Sequence, residues 1–397
     1  MPRRVVYSLS TGAVQLLPKT LHTEDRTVPI LFEPGSIGKL EVKNRLIRSA
    51  TAERMSDLDG RPEKPLADLF GELARGGVGL IITGHCYVHD GGRGHLNMTG
   101  AHRDDLIPDL ETLADAVHDG GGLLVMQINH GGRECPENAI PGPPVAPSPV
   151  PTAKGKPRPD ELNEEGIKEI IAAFGDAAGR AQAAGFDGVQ IHAAHGYLIS
   201  QFNSPAANWR KDRWGSTPAG RMRFLEEVAA AVRDRVGNDY PILTKLGMED
   251  YVRDGLTLKD GAEIVRHLAD WGIDALEVSG GIGGTSVRKD ILHLEDEGYF
   301  LDAARVARDA TDLPIALVGG MRSKQLMERI LEEGTADFIS MSRPLIREPD
   351  LPIRFLKGQE RSTCISCNRC WPPPGEYGIA CRDPNKEDQG ETSGLPV

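Results

Sequence analysis

Residues 315–343 read IALVGGMRSKQLMERILEEGTADFISMSR, and they decide the fold. Residues 315–318 form a short apolar run of the kind that fills a strand buried on both faces. Gly319 and Gly320 punctuate it. Residues 323–333 then space their apolar side chains three and four apart, the pattern of an amphipathic helix. A second apolar run, 338–341, ends in Ser342 and Arg343. Strand, helix and strand in so short a span make one parallel βαβ unit, because parallel strands need a crossover between them.

The unit repeats outward from there. Upstream apolar runs lie at 45–50, 78–83, 123–128, 188–192, 242–246 and 275–279. Amphipathic stretches cover 65–75, 106–119, 163–184, 219–236, 257–271 and 301–309, and 351–357 supplies an eighth helix. Eight strands, each followed by a helix, make a closed (β/α)8 TIM barrel, an α/β fold that typically needs about 250 residues. A doubly wound sheet uses the same alternation, but nothing resembling GxGxxG follows the first strand. The reading divides the chain into an N-terminal extension at 1–29, the barrel at 30–357, and a cysteine-containing segment and tail at 358–397.

The 397 residues are 39% hydrophobic, enough for a large core. A formal net charge of −12 repels phosphate backbones and anionic lipid. It argues against nucleic acid and membrane as partners and for a small-molecule substrate. No apolar run reaches the roughly 18 residues of a membrane-spanning helix. Residues 1–20 lack a continuous apolar core and an A-x-A-like cleavage site, so an ordinary extension is expected and not a signal peptide. Four of the six cysteines, Cys364, Cys367, Cys370 and Cys381, crowd together near the end. In a large chain without a signal this favours reduced thiols or a metal site over disulfides, and a cytoplasmic location. Residues 135–160 carry nine prolines, which forbid helix and interior sheet. A loop or short hairpin covering the site end of the barrel is expected there.

In such barrels the chemistry sits where strands end. The ends read Ser49-Ala50-Thr51-Ala52, Thr83-Gly84, Gln127-Ile128-Asn129-His130, His192, Lys245, Ser279-Gly280-Gly281, Gly319-Gly320 and Ser342-Arg343. Carboxylates are almost absent, so the convergent ligands of a metal-dependent hydrolase are missing. The ends after strands seven and eight fit a phosphate site built from backbone N–H groups and the Arg343 guanidinium. The alternative there is tight turns and a surface arginine.

Several segments, taken together, resemble the old yellow enzymes, flavin-dependent ene-reductases. They are LFEPGSIGKLEVKNRLIRSAT at 31–51, QINHGGR at 127–133, HAAHGYLISQFNSPAANWRKDRWGS at 192–216, ALVGG at 316–320 and ISMSRPLI at 339–346. The resemblance covers roughly 31–356. It implies FMN across the barrel mouth and NADH or NADPH as reductant. It implies that Ala50, Thr51 and Gly84 border the flavin ring, and that Gln127 hydrogen-bonds its pyrimidine edge. Lys245 is placed near N1 and the C2 carbonyl. Gly319, Gly320, Ser342 and Arg343 are placed around the phosphate. His192 and His195 receive the substrate oxygen, and Tyr197 donates a proton.

The residue chemistry suits those roles. Two neutral imidazoles aimed at one oxygen polarise a conjugated carbonyl or nitro group and stabilise the charge that develops when hydride arrives. Metal ligation by the pair needs further ligands that the rim does not offer, and plain packing is the other alternative. Tyr197 is a phenol, protonated at neutral pH, and suits general acid work, although a core aromatic is also compatible. Lys245 supplies a cation to reduced flavin, where the family more often has arginine. Ala52 stands where the family often has threonine or cysteine bonded to flavin O4, which implies a lower flavin potential.

The run Cys364-x2-Cys367-x2-Cys370-x10-Cys381 resembles the segment after the barrel in the cluster-bearing branch of the family, which includes 2,4-dienoyl-CoA reductase and trimethylamine dehydrogenase. There a [4Fe-4S] cluster serves further downstream domains. This chain ends at Val397, so a cluster here implies a separate electron-transfer partner or a structural role. A [4Fe-4S] cluster, zinc and unmetallated thiols all stay open. A disordered tail is expected beyond Cys381. The expected function is NAD(P)H-dependent reduction of activated C=C bonds through FMN. Alternatives are an iron–sulfur flavoprotein acting on dienoyl thioesters or amines, and a flavin-binding sensor without turnover. Homo-oligomers are common among the relatives.

Overall fold

The computed structural model describes residues 28–153, 155–282, 288–373 and 376–385. The expectations for the first residues of the N-terminal extension and for the extreme tail fall largely outside these residues. The barrel strands are β1 (Leu46–Arg48), β2 (Leu80–Ile82), β3 (Leu124–Asn129), β4 (Gly188–Ala193), β5 (Ile242–Gly247), β6 (Ala275–Ser279), β7 (Ile315–Leu317) and β8 (Phe338–Met341). All pairings between them are parallel, and β8 pairs with β1, which closes the ring. Every residue of these strands is buried, as expected of strands with side chains packed inside the ring and helices outside it.

The outer helices are α1 (Lys64–Arg75), α2 (Ile107–Asp119), α3 (Glu164–Ala183), α4 (Pro218–Val236), α5 (Leu258–Leu268), α6 (Leu301–Arg308), α7 (Lys324–Glu332) and α8 (Leu351–Leu356). Capping chemistry sets their starts. Asn163 accepts from the Gly166 N–H, Thr217 from Gly220, and Thr257 and Asp260 form a reciprocal capping box. Among the described residues no helix is long and apolar enough to cross a membrane.

At the N-terminal end of the barrel one device occurs three times. Asp187, just before β4, accepts the N–H of Leu124, the first residue of β3, and meets the His118 ring from α2. Asp274, before β6, accepts from Ile242 at the start of β5 and pairs with Arg233 from α4 at 2.8 Å. Asp337, before β8, accepts from Ile315 at the start of β7 and pairs with Arg308 from α6. Each carboxylate thus ties one helix to two adjacent strands.

Three features depart from the sequence reading. Residues 35–42 form a small antiparallel hairpin before β1. Leu198–Asn203 is a short helix buried on every side, so it lacks the amphipathic pattern that marks a surface helix. In the proline-rich segment Val145–Ala146 pairs with Asp160–Glu161, but in parallel, so the segment is a crossover loop and not a hairpin. None of its described residues lines the cavity described next.

Candidate active site

A cavity of about 320 Å³ opens at the C-terminal ends of the strands. Ala50, Thr51, Gln127, His192, His195, Tyr197, Lys245, Gly320, Ser342 and Arg343 all line it, as does Ala52. Gly84 and Gly319 do not. Gly84 lies beside the wall, where its N–H donates to Glu53 Oε2 at 2.9 Å and a Cβ would come within 2.1 Å of that oxygen. Glu53 pairs with Arg48 at 3.1 Å, and burial pushes its carboxyl up to about 7 against the pull of that arginine. Gly319 sits at φ +130, a backbone that favours glycine, and its carbonyl accepts from Tyr299.

His192 is the penultimate residue of β4, and its register partner on β5 is Lys245. His195 follows in the loop at φ +64, an uncommon conformation for a residue with a side chain. The loop is pinned from three sides. Leu198 N–H donates to the His130 carbonyl, Ser200 Oγ accepts from Gly196 N–H, and Gln201 Nε2 donates to the Gly196 and Gly131 carbonyls. Further along, Asn208 Nδ2 donates to the Phe202 and Trp214 carbonyls, and Arg210 Nη1 donates to those of Pro147 and Leu162. The long motif after Tyr197 therefore builds a scaffold, while His192, His195 and Tyr197 face the cavity.

The two imidazole centroids are 5.1 Å apart and near perpendicular, and the Tyr197 ring is 5.0 Å from His192. His195 Nε2 lies 2.8 Å from Ser279 Oγ, and buried His192 Nδ1 has no hydrogen-bond partner. Burial, with the neighbouring His195, His85 and Lys245 charges, lowers the His192 imidazole far below its ordinary range. Burial, then Lys245 and His85, lower His195 to about 3. Burial, then the negative charges of Glu134 and Cys135, push Tyr197 up to about 12. Both imidazoles are thus neutral donors and the phenol holds its proton. That is the state required for polarising a carbonyl and then protonating carbon.

The residues present fit FMN. Gln127 and Lys245 offer polar atoms on the floor. Gly320, at φ +73, leaves space that a Cβ would fill to within 2.9 Å of the Tyr299 ring. Ser342, whose hydroxyl is 2.7 Å from Thr51 Oγ1, and Arg343 stand at one edge. Arg343 Nη1 also donates to the Arg288 carbonyl at 2.6 Å and to Asn368 Oδ1.

Sequence reasoning missed part of the wall. His85 lines the cavity with its ring 5.0 Å from Tyr197, and its position two residues past Thr83 was a usable signal. Ser366, Asn368, Cys370, Trp371 and Ile379 arrive from the C-terminal segment. Gly378 and Ile379 N–H groups donate to the Arg54 and Glu53 carbonyls, and the Arg54 guanidinium lies 5.5 Å over the Trp371 ring. These contacts join residues hundreds apart, and no local pattern announces them.

The four C-terminal cysteines line one small adjoining pocket together with Arg343 and Arg347. Burial first, then the other three sulfurs, push the Cys370 thiol up to about 11. Among the described residues, however, no group of three or more His, Cys, Asp or Glu side chains is arranged to hold a metal ion.

The model of the NADH:flavin oxidoreductase / NADH oxidase family matches residues 30–362. The chain is similar to the NADH oxidase of Thermoanaerobacter brockii, with 37% identity over 86% of this chain and 53% of that protein. It is 35% identical to the NADPH dehydrogenase of Geobacillus thermodenitrificans, over 86% of this chain and 98% of that one. Among solved structures, the old yellow enzyme homologue from Zymomonas mobilis superposes with a TM-score of 0.72 at 27% identity, covering 84% of this chain and 94% of that one. The chain spans about half the length of the Thermoanaerobacter protein.

Proposed function

The chain belongs to the NADH:flavin oxidoreductase / NADH oxidase family, and from that premise we propose that it uses FMN to reduce activated C=C bonds of enones, enals and similar small molecules, with NADH or NADPH as reductant. The observation that carries this reading is the convergence of His192, His195 and Tyr197 on the cavity that Gln127 and Lys245 floor. FMN, when bound, supplies hydride from N5 to the substrate carbon.

The protein groups do the rest. His192 and His195 donate N–H bonds to the carbonyl oxygen, which draws electrons from the conjugated carbon and stabilises the oxygen charge that follows. A preorganised donor of this kind is worth about 10²- to 10³-fold in rate. Tyr197 then passes its phenolic proton to the carbon beside the carbonyl. Lys245 would offer its ammonium to the bound ring, and Arg343 would hold the phosphate. Trp371 and Ile379 supply apolar wall to the cavity.

A sensor that only holds FMN needs none of the His192, His195 and Tyr197 trio, which supports turnover over sensing. A cluster on Cys364, Cys367, Cys370 and Cys381 is a second reading, favoured only by their shared pocket. One purified sample tests both. Offered FMN, it turns yellow, bleaches with NADH or NADPH without oxygen, and recovers its colour on addition of cyclohexenone. Protein that stays colourless and shows no affinity for FMN removes the proposal. Iron analysis of the same sample gives about four atoms per chain if the cluster is present.

A further inference from the structure

Beneath the cavity a fully buried carboxylate, not used in the reaction above, connects two residues of its floor. We propose that Glu277 is a positioning residue for the flavin: it fixes which end of the Gln127 amide faces the ring and offsets part of the Lys245 charge beside it. The inference rests on the FMN reading.

Strand register begins the argument. On neighbouring strands Lys245 is abreast of Glu277, and Gln127 is abreast of Gln190. Lys245 is 3% exposed, Gln127 1%, and Gln190 and Glu277 are fully buried. Glu277 Oε1 lies 3.3 Å from Lys245 Nζ and accepts from the Ser49 hydroxyl at 2.7 Å. Lys245 Nζ also donates to Ser49 Oγ at 2.7 Å. On the other side Gln190 Nε2 donates to Glu277 Oε2 at 2.9 Å, and Gln127 Nε2 donates to Gln190 Oε1 at 2.6 Å.

The direction of this chain is dictated by its end. Burial alone would raise the Glu277 carboxyl, but the Lys245 ammonium and the bonds from Ser49 and Gln190 hold it below the usual range. An ionised carboxylate only accepts. Gln190 must therefore turn its NH2 toward Glu277 and its oxygen toward Gln127. Gln127 must in turn give its NH2 to Gln190, which leaves its Oε1 for the cavity. The pyrimidine edge of an isoalloxazine carries one N–H, N3, between two carbonyls. A fixed acceptor beside that edge selects N3–H.

The second effect is electrostatic. A lone ammonium beside the ring favours the more negative, reduced state. With Glu277 behind it, Lys245 acts on the ring as half of an ion pair. The carboxylate thereby lowers the flavin potential that Lys245 alone would set.

Glu277→Gln keeps the shape, removes the charge and lets the amide chain reverse. Wild type, E277Q, Lys245→Gln and the double variant are loaded with FMN and titrated. E277Q is expected to hold the reduced flavin about tenfold more strongly, about 30 mV for a two-electron couple. The shift is expected to vanish in the Lys245→Gln background, because without the ammonium burial raises the Glu277 carboxyl and removes its charge. With ¹⁵N-labelled FMN, exchange of the N3 proton with water is expected to be at least tenfold faster in E277Q, a signature that a purely structural role does not move. If E277Q takes up no flavin, Glu277→Asp decides: a preference within twofold of wild type supports the charge argument, and a tenfold departure overturns it. An E277Q preference within twofold of wild type, or a shift that persists without Lys245, overturns the inference alone. Wild-type protein that takes up no FMN overturns it together with the flavin reading.

Discussion

Tyr197→Phe lowers the rate of alkene reduction by about 10²- to 10³-fold, while bleaching of bound flavin by NADH or NADPH stays within about threefold. The substitution removes one hydroxyl and keeps the ring that packs at 5.0 Å against both His85 and His192. The fold and the cavity therefore stay in place, and only the proton donor is lost. The two half-reactions are measured separately by stopped-flow absorbance. Equal loss in both steps refutes the assignment of Tyr197 as general acid, since proton donation belongs to the alkene step alone.

The pH profile adds a second check on the same variant pair. A phenol donates below its pKa, and Tyr197 is pushed up to about 12. An imidazole is a neutral donor above its pKa, and His195 is lowered to about 3, with His192 displaced in the same direction. The three groups therefore contribute no inflection to the wild-type rate of alkene reduction between about pH 5 and about pH 10. A bell centred near neutrality, absent from Tyr197→Phe, contradicts the site as drawn.

The second large effect is expected at the histidines. His192→Ala lowers kcat/KM for an enone by about 10²- to 10³-fold, the loss found when one preorganised donor to a developing oxyanion is removed. His195 needs a more careful choice, because it holds φ +64. Alanine there adds backbone strain to the loss of the donor, whereas asparagine tolerates that conformation and keeps an N–H. His195→Asn is therefore expected to lose no more than about tenfold, and His195→Ala about a hundredfold. If both imidazoles serve one oxygen, as proposed, the double variant falls far short of the product of the single losses. Steady-state kinetics with cyclohexenone measures all four proteins. A double variant whose loss equals that product shows that the two do not share a target.

The barrel was legible because its strands are buried on both faces. Short runs such as 188–192 and 338–341 stand out between amphipathic segments, and the observed strands begin and end within two residues of them. The short helix Leu198–Asn203 was not legible, since burial all round erases the helical stripe. The rim was read from strand ends, and that rule reaches only residues adjacent to a strand. It found Gln127, His192 and Lys245. It included Gly84, whose N–H is turned to Glu53, and stopped short of His85, one residue further on. Glu277 lies inside a strand and reads as an anomaly in an apolar run, ALEVS, until the register sets it beside Lys245. Trp371 and Asn368 reach the cavity by long-range packing, which no window of sequence encodes.

The three aspartates at the base of the barrel have a consequence for how it comes apart. Asp187, Asp274 and Asp337 each fasten a helix and the strand after it to the next strand, joining β3 to β4, β5 to β6 and β7 to β8. Between those pairs the ties are lighter: the Tyr240 and Thr244 hydroxyls donate to the Phe186 and Ile191 carbonyls across β4 and β5, and Arg45 donates to the Asp337 carbonyl across β8 and β1. Partial opening should then proceed in quanta of two strands, with amide protons of a clamped pair exchanging together and those of adjacent pairs exchanging apart. The ring is, in that sense, a necklace with its clasps at every second bead.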